Sequence, residues 1–388
     1  MDFLEKQANA TPALAESYGN LGDLYTRKLW HQLTNELLTL ISTNDALDGE
    51  KGLALLGEFI SKFEAKLNQL QFAQMVVGIT RKVPDLGARA AALAGALAKA
   101  RARLGPEAAL LLAMEAARVA VARGDAAAAR GPVEEAQAQL EGLSGAETRV
   151  HAAVYRAAAA YHKAVGPPEA FYKSALMLLA YTPAAEEAGA LAPDAMTEEE
   201  KGTLAVDLAL AALTGDGVFN FGEVLATPIL GALAGTPHGW LGALLTAFRE
   251  GDVDAFAACV AQNQAAFDAQ PALASRADFV REKIALLALM NLVFERPAAD
   301  RHLRFADIAA RTRLPPDLVE GLCMRAMSLG LVRGVMDGVA EELAVSWVQP
   351  RVLDDPQLRH LQRRLGEWGE GVKTAHAFVE DQTPELFN

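Results

Sequence analysis

The chain has 388 residues, a formal net charge of −13 at pH 7, 52% hydrophobic residues and 22% charged residues. This composition is globular and excludes general disorder, and the length suffices for two or three hydrophobic cores. The negative net charge repels nucleic-acid phosphates and anionic lipid, so we expect neither nucleic acid nor a membrane as a partner unless a local basic patch forms.

Two further features concern the cellular compartment. The first six residues contain neither a basic leader nor an apolar core of a signal peptide, and the longest apolar run, 284–294, is too short to cross a bilayer. The two cysteines, Cys259 and Cys323, form no CxxC motif, which argues against a disulfide framework and a cysteine-based zinc site. A reducing compartment, cytoplasmic and nuclear, is the expectation.

From residue 18 to about residue 294 the apolar residues recur with helical spacing. The stretch 53–67 is typical, because its apolar side chains at intervals of three and four predict one helix of about four turns. The fold class predicted for this region is mostly α, a helical-repeat solenoid of the tetratricopeptide-like kind. Thr197 with Glu200 predicts a capping box at the start of one of these helices.

Three helix breaks share one local chemistry, a glycine followed by an aspartate at 124–125, 215–216 and 251–252. Glycine can adopt the left-handed conformation that ends a helix, and the aspartate can then cap the next one. The last two breaks lie about one helix pair apart, which is the period of stacked helical hairpins.

The glycine-rich stretch 215–228 superficially resembles a phosphate loop, but no strand precedes it and no lysine follows at the required spacing. We interpret it as a structural corner. Asn220 is predicted to cap a short helix, with Glu223 reaching back to it and Phe219 forming a hydrophobic staple. Pro228 is predicted to open the following helix, since proline at the first helical position loses no intrahelical bond.

The pattern changes after residue 296. Two short helices separated by Pro315 and Pro316 are followed by a run at 331–336, the turn signal Asp337-Gly338 and an alternating run at 343–348. Helix, turn, helix and hairpin together predict a winged helix.

Winged helices commonly bind DNA, so the charges of the second helix decide whether this one is expected to bind DNA or another protein. That helix carries Asp317 and Glu320 against a single Arg325, whereas insertion into a DNA groove needs a local excess of lysine and arginine. Protein docking is therefore favoured, through the presumed open strand edge. The residues predicted for this contact are Leu343, Val345, Ser346, Trp347 and Val348.

The last segment predicts a second docking element, a helix from residue 356 to about residue 380. Its apolar residues recur by three and four, which forms a heptad seam that a lone helix cannot bury. The alternative is that this helix folds back on its own domain. Insertion into a bundle of helices from other subunits is predicted for Leu358, Leu361, Leu365, Trp368, Val372 and Val379.

A search for motifs of known chemistry finds no GxSxG elbow, no HExxH, no P-loop and no cluster of histidines and carboxylates. We therefore expect no enzymatic activity, no catalytic residues, no cofactor and no bound metal.

Helical repeats followed by a winged helix resemble the PCI domain, which is shared by scaffold subunits of the proteasome lid, the signalosome and a translation initiation factor. Four strings are similar to those of non-ATPase PCI subunits of the 26S proteasome lid, and the likeness spans essentially the whole chain in the same order. They are the strings at 24–34, 217–223, 296–298 and 347–353.

The resemblance implies a structural, non-catalytic subunit of the lid in the 19S regulatory particle. It implies hetero-oligomeric assembly with the other PCI subunits, with the lid deubiquitinase module and with a neighbouring ubiquitin receptor. The implied division of the chain is an N-terminal helical-repeat region at 1–170, the helical part of the PCI domain at 171–294, its winged helix at 295–350 and an assembly helix at 351–388. A sister complex with different partners, or a DNA-binding regulator, remains the alternative.

Overall fold

A computed structural model describes residues 2–10, 12–43, 47, 49–103, 105–143, 145–182, 196–296, 300–352 and 355–382. The chain divides into two compact units, Met1–Gly217 and Val218–Asn388. The domain boundaries drawn from the sequence at 170, 294 and 350 stay predictions.

The first unit is built from helices. Most helices that are neighbours along the chain pack on each other, and α7 packs on α5 and α9 as well as on α6 and α8. Their bounds are α1 Asp2–Ala10, α2 Ala15–Thr26, α3 Trp30–Thr43, α4 Gly49–Glu58, α5 Gln69–Arg81, α6 Leu86–Arg103, α7 Pro106–Ala122, α8 Ala126–Gly142, α9 Thr148–Val165, α10 Pro168–Tyr181 and α11 Glu198–Thr214, with 3-10 turns at Pro12–Leu14, Ile60–Lys62 and Glu64–Lys66.

The core of this unit is one apolar cluster that extends from Leu4 to Ala158. Helix α5 lies at its centre, since every residue from Phe72 to Thr80 is buried. A helix that is buried on all sides is typical of the inside of a helical stack.

The single helix predicted for 53–67 is wrong. Helix α4 ends at Glu58, and two 3-10 turns follow. In this broken form Phe59 and Phe63 both pack on Tyr25, with ring centroids 5.4 and 5.6 Å from its ring. Aromatic packing of this kind contributes about 0.5–1.5 kcal/mol per pair, which exceeds the local preference for continuing a helix.

The predicted glycine–aspartate breaks are confirmed at two of the three positions. Gly124 and Gly251 have φ values of 85° and 60°, and Asp125 and Asp252 each accept a hydrogen bond from the backbone N–H three residues further on. At Gly215 the prediction is wrong, because its φ of −72° and ψ of 130° are extended. Helix α11 therefore ends at an extended glycine rather than at a left-handed one.

The capping box is confirmed. The Glu200 N–H donates to Thr197 Oγ1 at 3.2 Å, and the Thr197 N–H donates to Glu200 Oε2 at 3.0 Å. This reciprocal pair satisfies two backbone donors at the start of α11, which fixes where that helix begins.

The second unit joins a helical part to a winged helix. Its core is centred on α17, where Val280, Leu287 and Val293 have no solvent exposure. The bounds are α12 Phe221–Leu225, a 3-10 turn Pro228–Leu233, α13 Trp240–Glu250, α14 Val253–Gln262, α15 Gln264–Asp268, α16 Pro271–Ala274, α17 Ala277–Glu295, β1 His302–Arg304, α18 Phe305–Thr312, α19 Pro316–Ser328, β2 Val332–Asp337, β3 Glu342–Val348 and α20 Asp355–Gln382.

The predicted winged helix is confirmed, with one strand more than the sequence indicated. The three strands form an antiparallel sheet in the order β1-β3-β2, so β3 is the central strand. Leu343 pairs with Leu303 of β1 on one side and with Met336 of β2 on the other. The prediction that 343–348 forms an open edge is therefore wrong at residues 343 and 344, which pair with β1. The sequence did not indicate β1, because three residues are too few to form a recognisable strand pattern.

Candidate protein-interaction site

The central strand presents few side chains to solvent. Leu343, Val345 and Val348 are buried in the winged helix itself, whereas Ser346 is exposed and Trp347 is half-buried. The Arg333 guanidinium lies 4.7 Å from the centroid of the Trp347 ring. A contact with a neighbouring subunit at this strand stays a prediction, and its accessible side chains are those of Ser346 and Trp347.

A β-bulge fixes how these two side chains are displayed. Arg333 pairs with Trp347 and Gly334 pairs with Val345, so Ser346 has no partner residue across the ladder. Its Oγ donates to the Arg333 carbonyl at 3.1 Å. A Cβ on Gly334 would lie 2.2 Å from the Ala344 carbonyl oxygen, so this close approach requires glycine.

Helix α20 exposes its apolar seam along its whole length. It has 28 residues, which corresponds to about 42 Å. The six predicted bundle residues are exposed to between 43% (Leu361) and 70% (Trp368), so the fold-back alternative is not what the isolated chain adopts. Insertion of this seam into a helical bundle stays a prediction.

The segment 219–228 binds the backbone of a residue distant in the sequence, and its Asn220 side chain does not cap α12. Asn220 precedes α12, but its side chain makes no capping bond, so that prediction is wrong. Its Oδ1 accepts instead from the Val352 N–H at 3.2 Å, a contact across 132 residues. Phe219 is buried, Glu223 is exposed and Pro228 opens a 3-10 turn rather than an α-helix.

The second helix of the winged helix, α19, offers no free basic face. Arg325 pairs with Glu282 of α17, with 3.2 Å between Nε and Oε1. The exposed residues Asp317 and Glu320 leave the helix acidic.

Among the residues that the structure describes, no three or more histidines, cysteines, aspartates or glutamates are grouped as a metal site. No helix in the described part of the chain is long and apolar enough to cross a membrane.

The sequence did not indicate a cavity of about 1280 Å³ in the second unit. It is lined by residues from α12, the α13–α14 turn, α17, α18, residues 351–352 and α20, which are far apart in the sequence. Three of the strings that carried the resemblance, at 217–223, 296–298 and 347–353, supply lining residues here. Strings of this kind are the only signal by which the cavity could have been found.

Comparison with known proteins gives two family matches in chain order. The family described as PSD13 N-terminal repeats matches residues 17–245, and the PCI domain family matches residues 260–347. A 26S proteasome non-ATPase regulatory subunit 13 homolog from Arabidopsis thaliana is 36% identical over 390 residues, which covers 100% of this chain and 98% of that relative. The chain belongs to the family of 26S proteasome non-ATPase regulatory subunit 13.

Two other relatives show how much of the chain is similar to each kind of protein. The subunit 13 from Dictyostelium discoideum is 32% identical and again covers 100% of the chain and 98% of its own length. Subunit M of eukaryotic translation initiation factor 3 from Aspergillus terreus is 29% identical over 234 residues, or 60% of this chain and 47% of that protein. Similarity to the subunit 13 family therefore spans both units, whereas similarity to the initiation-factor subunit is partial.

Proposed function

We propose that this chain is a non-catalytic scaffold subunit of the lid of the 26S proteasome regulatory particle, and that it supports lid assembly and ubiquitin-dependent protein degradation. The observation that carries the proposal is similarity over the full chain, in both units and in the same order, to regulatory subunits of the 26S proteasome.

One structural feature supports a scaffold role. The seam of α20 leaves large apolar side chains in water, among them Trp368 at 70% exposure and Leu365 at 58%. Burial of such a side chain contributes about 1.5–3 kcal/mol, so a helix with six of them is stabilised by a partner. An exposed apolar stripe of this kind is typical of a protein interface.

The proposed partners are the other PCI subunits of the lid, its deubiquitinase module and the neighbouring ubiquitin receptor. In this scheme Ser346 and Trp347 contact an adjacent PCI subunit and the α20 seam enters a bundle of subunit helices. The proposed location is the cytoplasm and the nucleus, which agrees with two cysteines, Cys259 and Cys323, that are both free. A fluorescently tagged chain should appear in both compartments.

Two alternatives differ in their partners. A PCI subunit of a translation initiation factor is favoured only by the partial similarity to subunit M. A DNA-binding regulator would require basic residues on α19, where Arg325 is already paired with Glu282. Salt-sensitive binding to duplex DNA would be its signature.

The test is affinity purification of the tagged full chain from its native cells, with mass spectrometry of the partners and a peptidase assay of the eluate. Recovery of proteasomal lid, base and core subunits together with ATP-dependent peptidase activity is the expected result. Recovery of initiation-factor or signalosome subunits would overturn the proteasome assignment, and recovery of no partner would overturn the scaffold role.

The strand contact has its own test. Ser346→Pro removes the backbone N–H at the bulge and stiffens the chain there. A purified lid that contains this variant at normal stoichiometry would count against a contact through residues 343–348.

A further inference from the structure

The cavity of the second unit is lined by six arginines and five carboxylates, and most of these charges are paired with each other. Arg313 makes a bidentate contact with Asp254, with nitrogen–oxygen distances of 2.7 and 3.1 Å. Arg311 donates to Glu295 at 2.9 Å, and Arg249 donates to Glu250 at 2.9 Å. The cavity is therefore a charged site whose acidic groups are already in use.

Arg351 and Arg364 are the two lining arginines without a carboxylate partner among the described residues, and of these Arg351 is half-buried whereas Arg364 is exposed. The Arg351 guanidinium donates to Asn291 Oδ1, a neutral acceptor, and lies 5.4 Å from the centroid of the Phe294 ring. Over the described residues no carboxylate lies within ion-pair distance of it. Burial, with no counter-charge to offset it, lowers the pKa of Arg351 below its ordinary value.

The structure holds this guanidinium in a fixed position. Asn291 is only 8% exposed, and its Nδ2 donates to the Arg249 carbonyl at 3.2 Å, so its Oδ1 is directed at Arg351. Gly251 lets the α13–α14 turn come this close to α17, since a Cβ there would lie 2.6 Å from Asn291 Nδ2. A cation held by a fixed neutral partner is preorganised for an anion.

The backbone beside Arg351 is anchored as well. The Val352 N–H donates to Asn220 Oδ1 at 3.2 Å, and a Cβ on Gly222 would come within 3.0 Å of the Val352 side chain. Segment 351–352 is thus attached to α12, which fixes the backbone from which the Arg351 side chain extends.

The surroundings favour a carboxylate on a peptide over a free phosphate. The six lining arginines outnumber the five lining carboxylates by one, so a single negative charge neutralises the cavity and a dianion would overcompensate it. The lining also includes the apolar side chains of Val253, Phe294 and Leu361. The cavity volume of about 1280 Å³ is larger than that of a typical small-ligand pocket, which is about 300–1,000 Å³. Both features fit a short peptide segment.

We propose that the cavity around Arg351 receives an aspartate or glutamate side chain from a partner protein, on a segment with flanking apolar residues. The inference rests on the proposed function in taking this partner to be a subunit of the same complex. The carboxylate would form a bidentate pair with the guanidinium fork and would supply the missing counter-charge.

The first test is competition between wild type and Arg351→Gln for incorporation into the complex. Loss of a charge-assisted hydrogen bond predicts about a tenfold to hundredfold drop in incorporation. The melting temperature of the isolated variant should not fall, because the amide removes a buried charge and can still donate to Asn291. Arg281→Gln, an exposed position in the same unit, is the matched control and should incorporate normally. Equal incorporation of Arg351→Gln and wild type would overturn the proposal.

The second test identifies the partner carboxylate, and it tests the proposal even if Arg351→Gln lowers the melting temperature of the isolated chain. Arg351→Lys places an amine at the site, and a carbodiimide joins that amine to a carboxylate in direct contact. In purified complexes, a cross-link from residue 351 to an aspartate or glutamate of another protein is expected. A cross-link to Asp354 or Asp355 of the same chain, or no cross-link in an assembled complex, would overturn the proposal. Failure of the wild-type chain to associate with proteasomal subunits would instead refute the proposed function.

Discussion

Glu115 of α7 accepts a hydrogen bond from Arg89 of α6, with 2.6 Å between Oε1 and the guanidinium nitrogen. Its other oxygen accepts from Arg81 of α5 at 3.2 Å and from Arg118 at 2.9 Å. The carboxylate is 3% exposed, while the three guanidinium groups are between 17% and 25% exposed. One buried anion therefore joins three helices of the first unit.

Replacement of Glu115 should destabilise the first unit. Glu115→Gln leaves three guanidinium groups around a neutral amide, and loss of one partner of a buried ion pair costs about 3 kcal/mol. Urea unfolding followed by circular dichroism measures this change. Glu134→Gln, which breaks the exposed pair of Glu134 with Arg130, should leave the midpoint unchanged, and an equal midpoint for both variants would contradict the prediction.

The same carboxylate predicts a dependence on pH. Although burial acts in the opposite direction, the charges of Arg81 and Arg118 lower the pKa of Glu115 from 4.5 to about 2. Because the folded-state pKa is depressed, this stabilisation is complete above the unfolded pKa and is lost as the pH falls towards 2. The difference in unfolding free energy between wild type and Glu115→Gln should shrink by about 3 kcal/mol between about pH 5 and pH 2. A difference that stays constant over this range would refute the assignment.

Gly251→Ala should destabilise the second unit in two ways. A φ of 60° is unfavourable for alanine, and its Cβ would lie 2.9 Å from Ala288 Cα in addition to the contact with Asn291. Together these effects predict a loss of about 2–4 kcal/mol, measured by thermal unfolding.

A second glycine separates the two contributions. Gly235 has a φ of 77°, but a Cβ there meets no atom within 4 Å. Gly235→Ala should therefore lose only the backbone part, about 1–2 kcal/mol. A loss at Gly235 as large as that at Gly251 would mean that the close approach to α17 contributes nothing.

Substitutions in the apolar seam of α20 should prevent assembly without lowering the stability of the isolated chain. Leu365→Asp with Trp368→Asp changes two exposed side chains, so the isolated chain should keep its melting temperature. Incorporation into the complex should be abolished, because charges in a buried seam are left unpaired. Pull-down of the tagged variant measures this.

The matched control places the same charges on the opposite face of α20. Thr374→Asp with Ala377→Asp lies about half a turn from the seam, at two exposed positions. This variant should incorporate like wild type. Normal incorporation of the seam variant, or equal loss of both variants, would argue against insertion through the seam.

Local signals in the sequence predicted structure where the deciding contacts are local. The capping box of Thr197 and Glu200 and the left-handed glycines at 124 and 251 depend on atoms within a few residues, so they were correct. Asn220 has the residue type and position of a cap, but its side chain bonds to Val352 instead. A competing acceptor or donor 132 residues away cannot be read from local sequence.

The sequence by itself determined the helical class, the winged helix and the apolar seam of α20, because residue periodicity reports which face of a helix or strand is apolar. Only the tertiary structure decided that β3 is central, that Leu343, Val345 and Val348 are buried within their own domain, and that α20 leaves its seam uncovered. It alone brought Asn220, Asn291 and Arg351 together in one cavity. Whether a charge is paired depends on distances between segments that are remote in the chain, and those distances are set by packing.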